Sequence, residues 1–226
     1  MKRKSTLWFI LAGALLALFL IFTVIVSCVD VQPIGPMESS VGLATVNGAV
    51  FRWLGVHPIW ETVTDGLGLI AILSAVCFAA LGLVQWIRRR SPWRVDGELW
   101  ALGVFYVLVM AAYAVFEVVV INQRPILVEG ALEASYPSSH TMLVLCLTMG
   151  GMIELHTLLK KKKPLLLTLD ILSVIMMATT VVGRLASGVH WLTDIVAGVL
   201  LSMALAALYY GAVRLLAERR SVAQCD

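Results

Sequence analysis

Six times along the chain an apolar stretch runs long enough to cross a lipid bilayer. These stretches cover residues about 7–27, 63–87, 99–121, 139–158, 165–183 and 191–213. A hydrocarbon core of roughly 30 Å takes about 20 residues of α-helix, and in lipid each backbone polar group must bond within its own segment. The pattern predicts an all-α fold: a six-span transmembrane helical bundle, with residues 1–226 forming a single membrane domain.

The polar breaks refine that picture. The longest connection, about 28–62, opens with Pro33, Gly35 and Pro36, which exclude a helix there. Residues 40–54 turn mostly apolar again and end in Arg52-Trp53, the pattern of a short helix lying in the membrane interface. Thr62 with Asp65 three residues on reads as a capping box opening the second span. Ser138 or Ser139 is the expected N-cap of the fourth. Pro164 fits the first turn of the fifth, where a missing N–H costs nothing. Trp8, Trp60, Trp86, Trp100, Tyr136 and Trp191 fall near span ends, as interfacial belts require.

Charge sets the expected orientation. Lys2, Arg3 and Lys4 precede the first span. Arg88, Arg89, Arg90 and Arg94 follow the second, Lys160 to Lys163 follow the fourth, and Arg214, Arg219 and Arg220 close the sixth. The alternate loops hold only Arg52, Arg124 and, at a span end, Arg184. The positive-inside rule then puts both termini in the cytoplasm and the long first loop outside. Basic tracts that flank apolar spans read as topology signals, so nucleic acid is not an expected partner.

Composition agrees: 60% of residues are hydrophobic and 14% charged, against about 45–50% and about 25% in a soluble domain. Four cysteines (Cys28, Cys77, Cys146 and Cys225) follow no metal or redox spacing. Ile25-Val26-Ser27-Cys28 resembles a bacterial lipoprotein cleavage box. The apolar run before it, roughly 20 residues, exceeds the 7–15 of a signal peptide, so a retained span is expected.

Chemistry concentrates at the outer ends of the last four spans. His190 and Asp194 are four apart at the opening of the sixth, a spacing that places them on one helix face. A carboxylate beside an imidazole fixes its tautomer and leaves the other ring nitrogen free as nucleophile or base. Pro137-Ser138-Ser139-His140 puts a histidine at the N-terminus of the fourth span, where free N–H groups favour phosphate. Arg124 and Arg184, rare cations on that side, suit planar multidentate contacts with phosphate oxygens. Taken singly, each of these residues also fits capping or interfacial anchoring; together they point to phosphate handling. His57 and Glu61 lie in the same outer loop. His156, Glu154 and Asp170 belong to the cytoplasmic half and read as interfacial residues or partners of the lysine loop.

These motifs resemble those of the type 2 phosphatidic acid phosphatase superfamily, integral membrane branch. That family carries Lys-x6-Arg-Pro, Pro-Ser-Gly-His and Ser-Arg-x5-His-x3-Asp. Here the third motif reads Gly183-Arg184-x5-His190-x3-Asp194, the second Pro137-Ser138-Ser139-His140, and the first survives as Arg124-Pro125. The resemblance spans about residues 99–213. It implies that His190 attacks phosphorus to form a phosphohistidine, with Asp194 orienting it. His140 would protonate the leaving oxygen and then help activate water. Arg124, Arg184, Ser138 and Ser139, with backbone N–H groups at 138–140, would hold the phosphoryl oxygens. No metal and no cofactor is implied.

Three positions depart from the family pattern. Glu117 stands where the family has Lys, and would repel phosphate or pair with Arg124. Arg52 is the one cation of the first loop able to replace the missing charge. Ser139 replaces Gly, and Gly183 replaces Ser. The expected activity is hydrolysis of a phosphate monoester or pyrophosphate on a lipid, at the extracytoplasmic face of a multi-pass plasma-membrane protein. Undecaprenyl pyrophosphate, phosphatidic acid and phosphatidylglycerol phosphate are the candidates. The alternatives are a non-hydrolytic lipid-phosphate binder or transporter that keeps the fold, prompted by Glu117, and a lipid phosphotransferase.

Overall fold

The computed structural model describes residues 4–128 and 130–223. Lys2 and Arg3, which contributed to the topology reading, and Cys225 lie outside them. Among the described residues seven α-helices follow in order: α1 Lys4–Cys28, α2 Ala44–Leu54, α3 Ile59–Arg89, α4 Gly97–Val118, α5 Ser139–Leu158, α6 Lys163–Ala186 and α7 Leu192–Ala223. All but α2 are long and apolar enough to cross a membrane.

Several boundaries differ from the sequence reading. α3 begins at Ile59 with Pro58 at its N-cap and no side-chain cap, so Thr62 and Asp65 lie inside the helix and form no capping box. Asp65 is engaged elsewhere, by residues of α5 and α6. α4 ends at Val118, so residues 119–121 belong to the following loop. α7 continues ten residues past 213. α2 falls where the apolar 40–54 segment predicts a helix.

α5 and α7 form the buried centre. α5 packs against α3, α4, α6 and α7, and α1 lies along α7. Close approach depends on small residues, as between helices in lipid. A Cβ on Gly150 would stand 2.8 Å from Phe105 of α4, and one on Gly198 of α7 would stand 3.0 Å from the Ser138 carbonyl. The outer helices turn apolar side chains outward: Ile10, Ile70, Val107 and Leu167 are all exposed, which a membrane protein requires and an aqueous one rarely shows.

Polar pairs tie the end remote from the motifs. Arg220 grips Glu98 with two bonds of 2.6 and 2.8 Å, and Ser5 bonds Glu218 at 2.7 Å. Glu154 is not interfacial: it is buried, 3.3 Å from the Tyr209 hydroxyl. Asp170 pairs with His156 at 2.9 Å rather than with the lysine loop. Two residues assigned to interfacial belts are buried instead. Tyr136 sits among Phe19 and Phe116 with its hydroxyl 2.8 Å from Thr23. Trp191 is covered by Phe51 of α2 and donates to the Gln123 carbonyl at 2.7 Å.

Candidate active site

The loop between α4 and α5 folds back on itself. Gln123 bridges Ala134, Val128 bridges Ala131, Arg124 N donates to Glu133 O and Ser135 N donates to Asn122 O. This ribbon carries Asn122, Arg124 and Ser135 to the start of α7, then turns at Tyr136-Pro137 into α5. Ser138 caps α5: its side chain accepts from Thr141 N at 3.3 Å. Its own N–H is taken by the Asp194 carbonyl at 2.9 Å. The N–H expected from Ser138 is therefore spent on holding α5 to α7. The first two helical positions, Ser139 and His140, have no intrahelical acceptor for theirs.

His190 lies just before α7, not on its face as the spacing suggested, because the helix starts at Leu192. Asp194 occupies the third helical position and reaches back to accept the Trp191 N–H at 2.8 Å, as the acidic member of a capping box does. That reach points its carboxylate at the loop. His190 Nδ1 is 3.8 Å from Asp194 Oδ2, and Ser135 joins the two: its Oγ is 3.2 Å from Nδ1 and hydrogen-bonded to Oδ2. Asn122 Nδ2 adds a contact to Asp194 Oδ1 at 3.3 Å. Asn122 also supports the first loop, accepting from Gly42 N, while Asn47 of α2 bonds Thr193. α2 thus buttresses the start of α7.

His190 is 2% exposed and Asp194 fully buried. Burial pushes the His190 pKa down to about 4 against the pull of Asp194, and Arg124 and Arg184 act with burial. A neutral imidazole with its proton on Nδ1 leaves a lone pair on Nε2. That atom is buried and has no hydrogen-bond partner among the described residues, the state a nucleophile needs.

Arg184 and His140 meet on α3. Arg184, 4% exposed, places Nη1 3.1 Å from Asp65 Oδ1 and 3.4 Å from Thr64 Oγ1. Its Nε has no hydrogen-bond partner among the described residues. His140 Nε2 lies 2.9 Å from the Thr64 carbonyl and Nδ1 3.6 Å from the same Asp65 oxygen. Gly68 makes room for the His140 ring, since a Cβ there would be 2.8 Å from Cε1. Gly183, where the family pattern has Ser, is explained by crowding. A Cβ there would already be 2.7 Å from Thr64 Cγ2 and 3.1 Å from Trp60.

Arg124 does not pair with Glu117. Its Nε is 3.0 Å from Glu133 Oε2, close enough for an ion pair though not aligned as a hydrogen bond. Glu117 is exposed, faces Tyr113, and shares a small crevice with Ser135 and Ser139. Arg52 is exposed on α2 and lies back along its own helix over Gly48. His57 is bound locally to the Leu54 carbonyl at 2.9 Å. Glu61 lies within electrostatic reach of Arg184. Motif reading passed over Ser135, Asn122, Thr64 and Glu133, and it misassigned Asp65. Only Ser135, adjacent to Tyr136-Pro137-Ser138-Ser139-His140, carried a positional hint.

The architecture is that of a six-span helical membrane protein with a buried histidine–arginine site at one end of the bundle. A family model described as the PAP2 superfamily matches residues 98–216, and the chain belongs to that superfamily. The fold is similar to the crystal structure of a transmembrane PAP2 type phosphatidylglycerolphosphate phosphatase from Bacillus subtilis. The TM-score is 0.56 and the identity 18%, with 89% of this chain and 94% of that chain covered. No curated protein matches the chain by sequence.

Proposed function

We propose that this chain is a metal-independent lipid phosphatase that acts at the outer face of the plasma membrane, cleaving a phosphate monoester or pyrophosphate through a phosphohistidine. The observation that carries the reading is the buried, unpartnered Nε2 of His190, whose Nδ1 is held by Ser135 and Asp194. Arg124 and Arg184 both lie within electrostatic reach of it.

In the first step the Nε2–P bond forms and the P–O bond to the lipid breaks. His140 Nδ1, the ring nitrogen not bound to Thr64, passes its proton to the leaving oxygen. Arg124, Arg184 and the N–H groups of Ser139 and His140 hold the equatorial oxygens as charge builds. In the second step water attacks phosphorus and gives a proton to His140. The P–N bond breaks, which releases phosphate and restores His190. Phosphatidylglycerol phosphate, the substrate named for the structural neighbour, joins phosphatidic acid and undecaprenyl pyrophosphate as a substrate to test. The single membrane domain, cytoplasmic termini and extracytoplasmic site of the charge pattern are part of this proposal.

Phosphate release by detergent-purified protein across these three lipids, beside His190→Ala, tests the reading. Release abolished in the variant is the expected result; undiminished release from His190→Ala overturns the phosphohistidine. One observation favours a non-hydrolytic binder: each candidate phosphate-binding arginine is already paired with a carboxylate, Arg124 with Glu133 and Arg184 with Asp65. A folded protein that retains lipid and releases no phosphate would establish that alternative.

A further inference from the structure

Thr64 and Asp65, consecutive residues of α3, each touch both Arg184 and His140, which come from two other helices. Thr64 gives its carbonyl to His140 Nε2 and its hydroxyl to Arg184; Asp65 Oδ1 stands 3.1 Å from Arg184 Nη1 and 3.6 Å from His140 Nδ1. The two ring nitrogens of His140 thus face two acceptors. Neutral imidazole has one N–H and can satisfy only one of them, whereas imidazolium satisfies both. The charged groups that face His140 are Asp65 from α3, Arg184 from α6 and Arg124 from the α4–α5 loop. Both arginines oppose a positive charge there, as does burial. Asp65 is the carboxylate that supports it.

Resting on the phosphatase reading above, we propose that Asp65 is a positioning residue that keeps His140 loaded with the Nδ1 proton and aimed for delivery to the leaving oxygen. The carboxylate side chain is 59% exposed, so Asp65 is accessible from outside the bundle while it contacts buried Arg184. When the ester bond breaks, the Nδ1 proton goes to the departing alkoxide, and the neutral ring that remains keeps its Nε2–H bond to Thr64. Asp65 acts on the leaving oxygen only through His140.

The leaving group separates this role from simple support of Arg184. An alkyl alkoxide leaves only with a proton, whereas p-nitrophenolate leaves without one. The parameter to compare is kcat/KM, which reports phosphoryl transfer and not later hydrolysis of the phosphohistidine. It is measured on purified full-length protein with phosphatidic acid or phosphatidylglycerol phosphate, whichever is turned over faster, and with p-nitrophenyl phosphate. Asp65→Asn is expected to lose about tenfold or more on the lipid and at most about threefold on the aryl ester. Asp65→Glu should recover part of the lipid activity, and the thermal unfolding midpoint should stay near wild type. Weakened phosphate binding through Arg184 would lower both substrates alike. Equal losses on the two esters, or full activity of Asp65→Asn on the lipid, overturn the proposal. A wild-type protein that releases phosphate from neither ester overturns this proposal, and one that also releases none from undecaprenyl pyrophosphate overturns the phosphatase reading itself.

Discussion

The imidazole of His140 lies over Gly68, where a Cβ would come within 2.8 Å of Cε1 and 3.1 Å of Nε2. The ring can be seated against the Thr64 carbonyl only because α3 has no side chain at that point. Gly68→Ala is expected to push the ring off that carbonyl while the fold persists, because a side chain moves more readily than backbone. A displacement of about 1 Å at a reacting group costs up to about a hundredfold. The expected outcome is a tenfold or greater fall in kcat/KM for lipid phosphate with little change in unfolding midpoint, measured by phosphate release and by thermal unfolding in detergent.

Gly183 gives the opposite balance. Restoring the family serine with Gly183→Ser drives a Cβ to 2.7 Å from Thr64 Cγ2, and overpacking of this kind destabilises by about 1–3 kcal/mol. Thermal unfolding should show a lower midpoint, and Thr64→Ser, which removes Cγ2 but keeps the hydroxyl, should recover part of the loss in the double variant. Additive effects of the two changes would contradict the contact.

Ser135 joins His190 to Asp194 across 3.8 Å. With Ser135→Ala, Nδ1 loses its nearer partner and the ring is less well fixed. Phosphate release is expected to fall about tenfold or more, yet to stay above that of His190→Ala. An unaltered rate would show that Asp194 orients His190 without the serine.

The buried His190 also ties stability to pH. Its pKa is held at about 4 in the folded protein by burial, against about 6.5 when exposed. The folded state therefore binds fewer protons in that interval. The stability gained by keeping the ring neutral is complete above about pH 6.5 and is lost as pH falls toward 4. The unfolding midpoint of the wild type should drop across that window, and His190→Asn should drop less. Identical pH dependence in the two proteins would rule out this contribution.

Glu133 stands over Arg124 at 3.0 Å. Neutralising it with Glu133→Gln frees the guanidinium for an anion, though solvent limits the gain because the Glu133 side chain is 43% exposed. Inorganic phosphate should inhibit this variant at a concentration about twofold to fivefold lower than it inhibits wild type. Unchanged or weaker inhibition would mean that the ion pair does not compete with phosphate.

Much of the architecture was legible in the chain. Length and hydropathy fix six spans because lipid allows only internally bonded backbone, and Ser138 marked its own cap. His190 and Asp194 were legible as a pair although the reason differed: Asp194 turns back to cap α7 and meets a histidine that precedes the helix. Arg52 and Glu117 invited roles from their charge alone; Arg52 lies along its own helix, and Glu117 faces Tyr113 in a crevice it shares with Ser135 and Ser139. Tyr136 and Trp191 read as interfacial by type but are buried, Tyr136 between Phe19 and Phe116 and Trp191 under α2 and the loop ribbon.

The sequence by itself determined the local terms: span number, the Ser138 cap of α5, and the residue types that phosphate chemistry requires. Only the tertiary structure decided which partner each of those residues holds. Ser135 reaches His190 across 55 positions, and Asp65 reaches Arg184 across 119. Contacts of that kind depend on the crossing of helices and on the space left by Gly68 and Gly183, which no local pattern encodes.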